Sequence, residues 1–214
     1  MECPTSKFRP SERRVLVSVA VLLALGALLH TWQESRRQMG IDFLHYWAVP
    51  RGLHAGPIAD IYSPDGRREL GRRTAAAAAA EGVPEIQKAA TTAALKFEGG
   101  SLETLATPFL FSAFELFAGG QYQRDFRLYR FTSLAVFAGA ILALGRCFGY
   151  SWTLTFLLLA LLTLRFEPLK SDLWVGNVNC FQLGLLAAAL LLLTRSTRPW
   201  AGLLTGLLLG VGLA

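Results

Sequence analysis

The chain has 214 residues, 53% of them hydrophobic and 17% charged, with a mean hydropathy of +0.40. A soluble domain usually carries roughly 25% charge, so the composition excludes an ordinary water-soluble enzyme and points to a protein seated in a membrane. The net charge of +6 does not indicate a nucleic-acid partner, because the arginines lie in tails and loops beside apolar runs, where they face anionic lipid or fix topology.

Residues 1–14, MECPTSKFRPSERR, form a polar, basic tail with Lys7, Arg9, Arg13 and Arg14 against Glu2 and Glu12. The apolar run that follows, with Trp32 at its far edge, predicts a first transmembrane helix over 15–32, close to the about 20 residues a helix needs to cross the hydrocarbon core. No small-x-small cleavage site follows it, so it is expected to stay as an anchor rather than leave as a signal peptide. The positive-inside rule then places the N-terminus in the cytoplasm and residue 33 onward outside.

Residues 33–104 predict a large extracytoplasmic loop with short amphipathic helices. It opens with MGIDFLHYWAVPRGLHAGPIADIY, residues 39–62. A carboxylate such as Asp42 at a membrane interface can take a proton from a hydroxyl or hold a cation that binds phosphate. Partial burial would raise its pKa and strengthen it as a base. Tyr46, Trp47 and Tyr62 offer ring faces to a sugar or to lipid, and His45, Arg51 and His54 offer positive charge to phosphate oxygens. The plainer alternative is an interfacial aromatic belt with a solvated aspartate capping a short helix. Further on, Pro64-Asp65-Gly66 reads as a turn. The alanine-rich tract after it reads as solvent-side helix broken at Gly82 and Pro84.

Residues 105–214 predict about five further membrane segments. The first, LATPFLFSAFELFAGG, contains Pro108 and Glu115 and reads as a shallow or kinked span; Glu115 is either a functional acid or one that reaches the interface. Arg124, Arg127 and Arg130 are expected in a cytoplasmic loop before the next span at 128–147. Runs at 150–164, 180–194 and 199–214 follow, and the last stops without a polar cap, as expected of the N-terminal part of a longer protein. Between two of these runs lies FEPLKSDLWVGNVNCFQLG, residues 166–184. Its polar set Asp172, Asn177, Asn179 and Gln182 stands beside the helix breakers Pro168 and Gly176. It either lines a cavity or joins helices through amide hydrogen bonds. Cys3, Cys147 and Cys180 are far apart and suggest neither a disulfide framework nor a metal site.

The order of an N-terminal span, GIDFLHYW, Gly56 with Ile61-Tyr62, a Pro-containing second span and a later GNVN resembles glycosyltransferase family 87, in the C-type glycosyltransferase superfamily, over about residues 12–214. The resemblance implies an all-α, polytopic membrane helical bundle with a large extracytoplasmic loop, in the cell (inner) membrane. It implies a hexosyltransferase that moves a sugar such as mannose from a polyprenyl-phosphate-linked donor to an envelope glycolipid or glycan on the outer face. Asp42 matches the loop acid that serves such proteins as general base or metal-associated group, and Tyr46 and Tyr62 match positions framing the loop. The family's GQxN reads GNVN here, so Asn177 replaces a glutamine and Asn179 is kept. The aromatic-Pro-Pro before the second span reads ATPF, so only Pro108 carries over. Joined to His45, Arg51, Asp172 and Gln182, which the residue types themselves single out, the matched Tyr46, Tyr62, Asn177 and Asn179 give the expected substrate-binding set. No cofactor is implied beyond the lipid-linked phosphosugar, with a divalent metal left open. Two readings compete with it: a lipid or polyol transporter using the 172–182 segment as a path, and a non-catalytic membrane scaffold.

Overall fold

The structure is a computed structural model, and it describes residues 9–97, 99–104, 106–196 and 199–213. Cys3 and Lys7 of the basic tail, Leu105 at the start of the expected second span, and Ala214 lie outside the described residues. All regular structure among the described residues is helical.

Helix α1, Pro10–Ser35, contains the expected first span. Its 26 residues rise about 39 Å at 1.5 Å per residue, more than the hydrocarbon core requires. Its inward face is made of small residues, Ala20, Ala24, Ala27, Thr31 and Ser35, all buried, while Leu22, Leu23, Leu25 and Leu29 point outward. In lipid an outward leucine costs nothing, so helices associate through small residues that let backbones approach. The partner of α1 is α7, Trp152–Arg165, which buries Thr155, Leu159, Ala160 and Thr163. The Thr31 hydroxyl donates to the Thr163 carbonyl at 3.1 Å.

Three helices form the segment expected outside the membrane: α2, Ile41–His54, α3, Pro64–Ala79, and α4, Glu85–Phe97. The Pro-Asp-Gly sequence is not a free turn but the first turn of α3. Ser63 caps that helix by accepting from the Gly66 amide at 3.1 Å. Proline at the first helical position and aspartate in the first turn both favour a helix start. The ends of this excursion meet again, because Tyr62 donates to the Ala106 carbonyl and Thr104 to the Ile61 carbonyl.

The expected second span is shorter than the hydropathy suggested. Thr107 caps α5, Pro108–Phe114, which runs into a 3-10 turn over Glu115–Phe117. Together they rise only about 15–17 Å, half the hydrocarbon core. The chain therefore returns to the end of the bundle it left. The long helix α6, Tyr122–Cys147, starts beside α2: the Tyr122 hydroxyl donates to the Met39 and Gly40 carbonyls at 2.6 and 2.7 Å. Trp47 Nε1 donates to Asp125 at 3.0 Å, and Arg130 donates to the Ser35 carbonyl. Arg124, Arg127 and Arg130 thus lie at the same end as Asp42, not across the membrane from it. Arg130 is buried, with its guanidinium 4.1 Å from the Phe126 ring centroid.

Helix α7 ends in a 61° bend, after which α8, Glu167–Val175, lies back at the α2 end. Helices α9, Asn179–Arg195, and α10, Pro199–Leu213, complete the bundle. By length and composition α1 and α6 are able to cross a membrane, and the bent α7–α8 pair would be a third span; α9 and α10 are shorter apolar helices.

An aromatic cluster joins the α2 end to the bundle. Phe43 stacks on Phe126 with centroids 5.0 Å apart and planes at 26°, and Tyr122, Tyr129 and Phe114 surround it. Two glycines permit this closeness. Gly40 has φ +73, and a Cβ there would lie 2.3 Å from Phe126 Cζ; Gly176 has φ +83, and its Cβ would lie 2.5 Å from Phe43 Cβ. Gly40→Ala should therefore lower stability by about 2–5 kcal/mol, combining left-handed strain with overpacking. Thermal unfolding in detergent checks this, with Gly139→Ala as a control, since a Cβ at Gly139 meets nothing within 4 Å. Equal melting of the two variants would refute the clamp.

Candidate functional site

Asp42, His45 and Tyr46 are spaced i, i+3, i+4 and so share one face of α2. That face borders a cavity of about 990 Å³. Its polar end carries Asp42, His45, Tyr46 and Glu103, with Gln182 of α9 opposite. The remainder is apolar and follows the groove between α6 and α9. Gly139, Ala140 and Ala143 line one wall, and Gly184, Ala187 and Ala188 line the other. From Tyr129 to Ala143 the groove runs about 21 Å at 1.5 Å per residue. It exists because these positions have almost no side chain. Near one side Gly184 packs so tightly that a Cβ would lie 2.4 Å from Val136, whereas Gly139 faces open space.

The polar end is electrostatically tense. Burial raises the Asp42 carboxyl above its ordinary value; positive charge at His45 opposes this, and the carboxylates of Glu103 and Asp172 add to it. Burial, then the charges of Asp42, Glu103 and Asp172, push the Tyr46 phenol up to about 12. Tyr46 therefore stays a neutral hydroxyl with its ring packed on Phe114, centroids 4.5 Å apart. His45 Nδ1 donates to the Glu103 carbonyl at 3.1 Å. A carbonyl only accepts, so Nδ1 carries the proton and Nε2 is left to act as an acceptor or to charge. Asp172 reaches this group from α8 and accepts from Asn179 Nδ2 at 2.9 Å. Among the described residues no group of three or more His, Cys, Asp or Glu side chains is placed to hold a metal ion.

The sequence model of glycosyltransferase family 87 matches residues 105–214. The chain belongs to glycosyltransferase family 87. It thereby joins the membrane glycosyltransferases, and no curated protein and no solved structure matches it. The family match covers the apolar groove, α8 and the Asn179–Gln182 side of the site, while Asp42, His45, Tyr46 and Glu103 precede it.

Not every residue expected at the site is there. Arg51 is nine positions from Asp42, about half a turn away at 100° per residue, so it sits on the opposite face of α2 with its guanidinium 4.5 Å from the Trp47 ring centroid. Tyr62 is half exposed and serves as a strut to Ala106. Asn177 shapes the backbone: its Oδ1 accepts from the Val178 amide at 2.7 Å, and its carbonyl accepts from the Tyr129 hydroxyl at 2.6 Å. Glu115 lies at the surface, 3.9 Å from His54 Nε2, with both side chains about half or more exposed. The sequence reading missed Glu103, which lies 61 positions beyond Asp42 and comes to the site only because α3 and α4 return the chain.

The signs of these interactions give a pH prediction. Transfer that needs ionised Asp42 is lost on acidification at a higher pH than an ordinary aspartate would give. Removing the Glu103 charge lowers the Asp42 pKa, so Glu103→Gln should move the acid limb of kcat/KM to lower pH. A limb that stays in place or moves upward counts against electrostatic coupling between the two carboxylates.

Proposed function

We propose that this protein transfers a sugar, a hexose such as mannose, from a polyprenyl-phosphate donor to a hydroxyl of an envelope glycolipid or glycan. The observation that carries the reading is one cavity with two chemistries: a carboxylate-bearing mouth continuous with an apolar groove about 21 Å long. A polyprenyl phosphosugar has the same division, a polar head on a branched hydrocarbon tail. The tail lies between α6 and α9, among Gly139, Ala140, Ala143 and Ala187, and the sugar reaches Asp42.

In the reaction the acceptor oxygen attacks the anomeric carbon and gives its proton to the Asp42 carboxylate. The anomeric carbon–oxygen bond breaks with inversion, and the polyprenyl phosphate leaves with the electron pair. Burial and the neighbouring carboxylates raise the Asp42 pKa and so make its carboxylate a stronger base than an ordinary aspartate. His45, when protonated, is the near cation that offsets the phosphate charge. Tyr46 and Gln182 are neutral hydrogen-bonding groups for sugar hydroxyls, and Asn179 holds Asp172 in place beside them.

In the orientation we propose, the N-terminus is cytoplasmic and the α2 end faces outward. The opposite end carries Arg9, Arg13, Arg14, Arg146 and Arg195, with Glu12 the one acid there among the described residues. Short connections rich in arginine belong on the cytoplasmic side, whereas an excursion longer than about 60 residues crosses largely regardless of its charge.

Asp42→Asn should reduce transfer by about 10²–10⁴-fold, the range for a general base, while protein level and membrane insertion persist. Radiolabelled sugar transfer in membranes measures it, and wild-type rates in the variant would sink the assignment. A Cβ at Gly139 meets nothing within 4 Å, so Gly139→Leu builds into the open groove. It should raise KM for long-tailed donors with little effect on melting temperature. An unchanged KM would place the tail elsewhere.

A further inference from the structure

A second cavity, about 560 Å³, lies on the opposite face of α2 from Asp42. Trp47 and Arg51 form its α2 wall, and the turn Gly82-Val83-Pro84 with Gln87 forms another. The N-terminal turn of α6 closes it with Gln121, Gln123, Arg124 and Arg127. Its chemistry is the reverse of the first cavity. Three arginines face one lining acid, Glu81. The nearby Asp125 is already taken, accepting from Trp47 Nε1 and the Gly120 amide, both at 3.0 Å.

Three observations specify an occupant. Arg124 and Arg127 are exposed and form no ion pair among the described residues. The N-cap Gln121 makes no side-chain cap bond, and it lines the cavity with Gln123 and Arg124, so the start of α6 with the positive end of its dipole borders the cavity. The depth is set by the same helix face. Arg124, Arg127, Leu128 and Phe131 are spaced i, i+3, i+4, i+7. Leu128 is 50% and Phe131 60% exposed, and Phe131 meets Trp32 edge-on at 6.0 Å. Outward apolar residues ending in an aromatic pair mark the acyl region and its border. The arginines one turn above them then stand at headgroup level.

We infer that this cavity binds the phosphate of an anionic membrane-lipid headgroup, with Arg124 and Arg127 as its ligands and Arg51 as the third cation. The site is separate from Asp42 and does not depend on the glycosyl-transfer reading. Guanidinium forks match phosphate oxygens bidentately, and Gln87, Gln121 and Gln123 supply amides for headgroup hydroxyls.

The test uses the full chain in detergent with equimolar phosphatidylglycerol and phosphatidylcholine, and reads retained lipid by native mass spectrometry. Wild type should retain phosphatidylglycerol preferentially. The Arg124→Gln/Arg127→Gln pair should reduce that preference about 25-fold, each surface cation contributing about fivefold. The Arg68→Gln/Arg72→Gln pair removes equal charge from α3, outside the cavity, and should leave it unchanged. Neither pair removes a core contact, and unchanged melting temperatures verify that both fold. Equal loss in both pairs, or none in the first, would overturn the site. Displacement of the lipid by millimolar inorganic phosphate would overturn the lipid as its source and leave a free-anion site.

Discussion

The stacking of Phe43 on Phe126 governs where the site's carboxylates can be. Phe43 follows Asp42 in α2, and Phe126 belongs to the first turns of α6, so this one contact ties the α2 end to the bundle. Glycine at positions 40 and 176 lets the backbones entering α2 and leaving α8 press against the two rings. Asp42 stands two residues after the first glycine and Asp172 four before the second, so the same closeness brings the two acids within electrostatic reach of each other. Ring–ring geometry contributes about 0.5–1.5 kcal/mol per pair beyond burial. Its larger effect here is positional, since like charges are held together only because something stronger than their repulsion fixes the backbones.

Below this cluster the protein follows the packing logic of lipid. Leucines point outward on α1, and alanine, threonine and serine point inward. Small residues have two opposite uses in this setting. Where Gly184 meets Val136 they close a helix interface; where Gly139 faces no atom they keep a groove open. A single residue type thus makes both the seal and the channel, and which one results depends on the neighbour across the gap.

Helical class, the first span and the local part of the site were readable because they rest on short-range periodicity. Asp42, His45 and Tyr46 lie within five residues and one helix face brings them together. Arg51 belongs to the same conspicuous stretch, but its offset of nine residues turns it away, which a helical count through Pro50 would have shown. Glu103 was not readable, because its arrival depends on how α3 and α4 fold back. The position of Arg124, Arg127 and Arg130 at the α2 end was hard to read for a different reason. Hydropathy counted the run at 105–120 as a crossing, whereas Thr107 and Pro108 start its helix late and the 3-10 turn ends it early. A helix of this length leaves the chain at the same end of the bundle, so α6 and its three arginines begin beside α2. Asn177, expected at a substrate, accepts through its Oδ1 from the Val178 amide and so also shapes the chain entering α9.

The open groove between α6 and α9 has a further consequence for selectivity. Beyond the mouth its walls, among the described residues, are hydrocarbon and bare backbone apart from Tyr129, whose hydroxyl is taken by the Asn177 carbonyl, so in the proposed reading they contain little that could distinguish one tail from another by hydrogen bonding. Width is the main property they can sense. On the proposed reading, chemical discrimination falls to the first few ångströms, at the level of Asp42, Tyr46 and Gln182. Proteins sharing this scaffold could therefore diverge in the sugar they handle by changing a few mouth residues, while the long apolar part stays interchangeable.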